Sequence, residues 1–100
     1  MRASNSLTDE QRTFRRILLA KGPVVTPRKI QMSFHGRLKV SDVIHAMEQM
    51  SALGFGMLCQ YESSSNKFFQ KADPDHLDDK ALLAYNVTAY EYRRNYFFRK

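Results

Sequence analysis

Seven cations are spread along the early part of the chain: Arg12, Arg15, Arg16, Arg28, Lys29, Arg37 and Lys39. Lys and Arg at this density neutralise phosphates, because each pairs with an anionic oxygen and displaces a counterion. Arg28 and Lys29 follow Thr26-Pro27, a threonine cap with proline at the first helical position. They would lie where free backbone N–H groups also favour a phosphate. Lys67, in a later stretch, joins the set. The net charge is +6, and its distribution is uneven. Residues 1–41 hold nine Lys/Arg against Asp9 and Glu10, residues 42–92 hold three against eight acids, and Arg93, Arg94, Arg99 and Lys100 close the chain. A basic first half and a basic tail point to a polyanion or to an acidic protein as partner.

Other chemistries find little support. His35, His45 and His76 are scattered, and only Cys59 could join them as a soft metal ligand, without zinc-site spacing. Cys59 reads as a buried, inert thiol facing the core. Asp73, Asp75, Asp78 and Asp79 fit neither a calcium loop nor an acid/base pair, and read as charge at a helix start. No glycine-rich phosphate loop is present. The expectation is a protein that is not an enzyme and that carries no cofactor and no metal.

The elements that must position these cations are legible in the pattern. Thr8 to Gln11 is a capping box, opening a helix that runs to Lys21 with Leu7, Phe14, Ile17 and Leu18 on one face. Gly22-Pro23 stops it. Val24-Val25 forms a short extended segment. The Thr26-Pro27 helix carries Ile30 and Phe34 inward and ends at Gly36. A third helix, residues 41–53, starts at a Ser41 cap and ends at Gly54; Val40, Val43, Ile44, Met47 and Met50 are its apolar positions. Phe55, Met57, Cys59 and Tyr61 then alternate with Gly56, Leu58 and Gln60 as a strand. Residues 62–66 turn, and residues 67–71 return as its partner. Met32, Met47, Met50 and Met57 read as core filling. The outward face of helix 41–53 offers Ser41, Asp42, His45, Glu48 and Gln49, with no Lys or Arg. Only Gln49, Ser41 and His45 suit a base edge.

This order of helix, short strand, two helices and hairpin resembles the winged helix-turn-helix superfamily, without identifying a subfamily. The residues carrying it are RRILLAKGPVVTPRKIQMSF and RLKVSDVIHAMEQMSALGFGML, and it covers residues 8–72. The fold class implied is α+β: a three-helix core with a two-stranded wing and a fourth helix behind it. The function implied is DNA binding in a regulatory or chromatin setting, with the third helix in the major groove and the wing on the backbone. A protein-interaction module of the same fold is the alternative.

Residues 1–7 read as disordered. After Asp73-Pro74-Asp75, residues 76–98 read as one continuous helix with two apolar stripes, one through Leu82, Tyr85, Ala89, Tyr92 and Tyr96, the other through Leu83, Val87, Tyr90 and Phe97. A helix apolar on two sides buries both. Residues 73–100 are therefore expected to pack on the domain, on a second copy or on both, with Leu83, Val87, Tyr90 and Phe97 as the homodimer interface. One hundred residues make one small core. No apolar run is long enough to cross a bilayer, and one cysteine forms no intrachain disulfide, so an intracellular setting is expected: nucleus or cytoplasm, or the nucleoid of a bacterium.

Overall fold

The structure, a computed structural model, describes residues 7–35 and 37–98. The protein is α+β, with five helices and a three-stranded antiparallel sheet among those residues. Helix α1 spans Asp9–Leu19. The Thr8 capping box forms as the sequence dictates: Gln11 N–H donates to Thr8 Oγ1 at 3.1 Å, and Thr8 N–H donates to Gln11 Oε1 at 2.9 Å. Strand β1 is Val24–Val25 and α2 is Pro27–Ser33, capped by Thr26. Helix α3 spans Val40–Ala52. Strands β2, Gly56–Gln60, and β3, Lys67–Lys71, form the hairpin around the polar turn. β3 is the central strand, in the order β1-β3-β2.

Phe14, Ile17 and Leu18 of α1, Ile30 of α2, and Val43, Met47 and Met50 of α3 form the core with Val25, Phe55 and Phe69. Gly54, at φ 92°, makes the left-handed stop between α3 and β2. Gly56 is required for a different reason: a Cβ there would meet the Gln70 carbonyl oxygen and the Phe69 ring at 2.4–2.7 Å.

Several expectations need correction. Helix α1 ends at Leu19, two residues short of Lys21. Helix α2 ends at Ser33, and His35 takes the left-handed turn at φ 56°; Gly36 lies outside the described residues, as do residues 1–6. Leu7 is half-buried. Ser41 does not cap α3; the helix starts a residue earlier, and Asp42 reaches back to accept from the Lys39 N–H at 3.2 Å. The hairpin strand has the opposite parity: Leu58 packs on the core, Met57 is 64% exposed and Cys59 is half-buried. Met32 is also exposed. Of Met32, Met47, Met50 and Met57, only Met47 and Met50 fill the core.

The chain beyond the hairpin is not one helix. Pro74–His76 is a 3₁₀ turn, α4 is Asp79–Leu83 and α5 is Ala89–Tyr96. Asn86 breaks the run at φ 59°. Thr88 then opens α5 with a second complete capping box, donating to and accepting from Glu91 at 3.1 Å each way. The single helix with two stripes is therefore absent. Val87 is fully buried in the core beside Leu82 and Tyr92, while Leu83 is exposed on α4 and Tyr90 and Phe97 are exposed on α5 and its C-terminal cap. Val87 cannot be an interface residue, and the remaining three form no single helical stripe.

Candidate nucleic-acid interface

Helix α3 has three sides besides its buried one, and its start at Val40 decides which residues fall where. Ser41, His45, Glu48 and Ala52 point outward. Its hairpin-side flank carries Val40 and Ile44, and its α1-side flank carries Asp42 and Gln49. The outward side has no cation, and Glu48 sits 3.8 Å from His45 Nδ1.

A groove of about 540 Å³ runs along the hairpin-side flank, between the first turn of α2, the first half of α3 and the hairpin tip. Val40, Ile44 and Pro27 supply its apolar floor. Arg28, Lys67, Tyr61 and Asn66 supply its rim. Among the described residues no carboxylate lines it. Tyr61 is held by its neighbour, with its ring centroid 4.7 Å from that of Phe68. Two cations, an aromatic ring and an amide beside uncharged walls suit a sugar–phosphate strand. Of the cations expected from the sequence, Arg28 and Lys67 meet here. Tyr61 and Asn66 were not foreseen; their position at the two ends of the polar turn, opposite α2, is their only signal.

The remaining cations are dispersed. Arg12 and Arg37 line a second groove, but Asp9 lies with them and holds Arg12 at 3.0 Å. Arg15 Nε donates to the Asn86 carbonyl at 3.4 Å and so fastens the break between α4 and α5. Arg16 and Lys39 are exposed. Lys29 is exposed beside Arg28, and its own N–H is taken by Thr26 Oγ1 at 3.3 Å. The start of α2 therefore has fewer free donors than expected. Gln49 is the clearest misplacement: it lies between α3 and α1, and its Oε1 is buried without a hydrogen-bond partner among the described residues.

Behind the hairpin lies a cation that sequence reasoning did not find. Lys71 is 2% exposed. Its Nζ donates to the Leu18 carbonyl at 3.2 Å and to that of Ala20, closing the C-terminal end of α1. Burial, with a smaller contribution from the nearby Lys29 charge, lowers its pKa to about 8. The Tyr92 ring lies 5.6 Å from Nζ, and the Tyr92 hydroxyl donates to the Ala72 carbonyl at 2.6 Å. Burial raises the pKa of Tyr92, with Tyr96 and Asp73 adding to it. These contacts, the Gly22 N–H to Asn95 carbonyl bond at 2.7 Å and the Arg93–Asp75 ion pair at 2.6 Å tie α5 to the rest of the domain.

No family model matches the chain, and no curated protein or solved structure matches it either. Among the described residues no helix is long and apolar enough to cross a membrane, and no three His, Cys, Asp or Glu side chains converge.

Proposed function

We propose that this chain is a winged-helix domain that binds nucleic acid, duplex DNA foremost, chiefly through the phosphate backbone. The element order α1-β1-α2-α3-β2-β3, with the short first strand paired to the central third, supports the winged-helix reading. One observation carries the functional reading: the groove between α2, α3 and the hairpin tip is lined by Arg28 and Lys67 and, among the described residues, by no carboxylate. Backbone contacts position a duplex without reading it, so selectivity among sequences is weak. Ser41 and His45 are the α3 groups left for a base edge, with Glu48 beside them repelling phosphate.

That same outward face favours a second reading, a protein-interaction module of this fold. Fluorescence anisotropy with several unrelated duplexes separates the two. The nucleic-acid reading expects similar affinities for all of them and a steep loss as salt rises. Absence of binding at low salt leaves the protein-interaction reading.

A further inference from the structure

We propose that two copies of this chain associate by antiparallel pairing of their β2 strands, giving one sheet continuous across the dimer. The ladder fixes which backbone groups are available. Phe55 accepts from the Ala72 N–H at 2.9 Å, and the Tyr61 N–H donates to Asn66 at 3.1 Å. With Met57 opposite Gln70 and Cys59 opposite Phe68, the odd-numbered positions of β2 bond inward to β3. The N–H and C=O groups of Gly56, Leu58 and Gln60 therefore point to the outer edge, where no other described segment bonds to them.

The two edges of the sheet are unlike. β1 is two residues long and is bounded by Pro23 and Pro27. β2 is five residues long, Gly-Met-Leu-Cys-Gln, with no charge and no proline. Edge strands that stay single are normally guarded by Lys, Pro or a bulge. Charge selects a second copy as the occupant. Residues 49–61 form the longest uncharged run of a chain whose net charge is +6, so two copies can meet there without setting cation against cation.

Symmetry then fixes the register. Pairing the whole strand with itself centres the two-fold axis on Leu58, so that Gly56 faces Gln60 and Met57 faces Cys59 of the second copy. The outward groups of Gly56, Leu58 and Gln60 then form about six intermolecular hydrogen bonds. Met57, 64% exposed in the single chain, is covered by the half-buried Cys59 of the second copy.

Sedimentation of the full chain at micromolar concentration under reducing conditions is expected to give a dimer. Met57→Lys places a charge on the edge, and Gln60→Pro removes an outward N–H without touching the bonds to β3. Each is expected to give a monomer with unchanged circular dichroism. In Met57→Cys, mild oxidation is expected to produce a covalent dimer. The facing pair lies about 4.5 Å apart between Cα atoms, within disulfide reach. Peptide mapping should link position 57 of one copy to Cys59 of the other. A monomer throughout the range overturns the proposal. So does a dimer that survives both edge substitutions but disappears with polar residues at Leu83 and Tyr90, and so does a crosslinked Met57→Cys dimer without the 57-to-59 link.

Discussion

The two flanks of α3 share one helix and have opposite character. On the hairpin side, Val40 and Ile44 meet Arg28 and Lys67, with no carboxylate among the described residues of the lining. On the α1 side, Asp42 and Gln49 meet Asp9 and Glu10. The acids at the start of α1 complement that helix's own dipole, and after burial the Glu10 charge also raises the Tyr85 pKa. On one flank two cations thus stand clear of acids, while on the other acids line the groove. The position of cations relative to acids, rather than their number, decides where a polyanion can lie.

The contrast can be broken most severely by disturbing the hairpin. Gly56→Ala drives a methyl group into the Gln70 carbonyl and the Phe69 ring. It should cost about 3 kcal/mol and lower the melting temperature by roughly 10 °C or more, read by thermal unfolding. The groove should lose its rim with the same substitution, whereas the α1-side flank, which does not use β2, should keep its packing.

The second effect is a pH dependence from Lys71, the cation behind the hairpin. Its pKa is about 8 in the folded chain and near the ordinary 10.5 when unfolded. Between these values the unfolded state holds the extra proton, so stability rises with pH across this window. Tyr92 and Tyr85 act oppositely above about pH 10, because their raised pKa values keep protons on the folded state that the unfolded state releases. Denaturant unfolding should therefore show a gain of about 2 kcal/mol from pH 8 to a maximum near pH 10. Lys71→Met should remove the rise.

The third effect belongs to the α1-side flank. Gln49 buries an oxygen that has no hydrogen-bond partner among the described residues. Gln49→Leu should stabilise the domain by about 1 kcal/mol, read as a higher denaturant midpoint. Nucleic-acid affinity should not change, since this side chain faces α1. A loss of affinity would place Gln49 at the interface after all.

Local signals were what the sequence conveyed well. The Thr8 box, the Thr26-Pro27 start, the Gly54 stop and the polar hairpin turn each act within a few residues and fold as read. The break in the last helix was equally local: Asn86 tolerates the left-handed conformation, and Thr88 with Glu91 spells a capping box. The apolar periodicity of the flanking residues masked it. The β2 parity is a matter of register, because one residue more or less after Gly54 moves every side chain to the other face. Lys71 was beyond local reading, since Leu18 and Ala20 lie some fifty residues earlier in the chain. The site was half legible for the same reason. Composition marks the cations, and helical spacing alone sets Arg12 beside Asp9, but only the tertiary fold sets Arg28 beside Lys67.

The salt dependence of duplex binding tests most directly the contrast between the hairpin-side groove and the Asp9-containing groove that Arg12 and Arg37 line. It should be measured for the wild type, for Arg28→Ala with Lys67→Ala, and for Arg12→Ala with Arg37→Ala. Each phosphate left without its cation flattens the log–log slope by about 0.9, so the hairpin-side pair should flatten it by roughly 2 units and lower affinity about tenfold or more at low salt. Removing the second pair, where Asp9 already offsets the charge, should change the slope by less than about half a unit. Equal effects from the two pairs, or a larger effect from Arg12 and Arg37, would contradict the account.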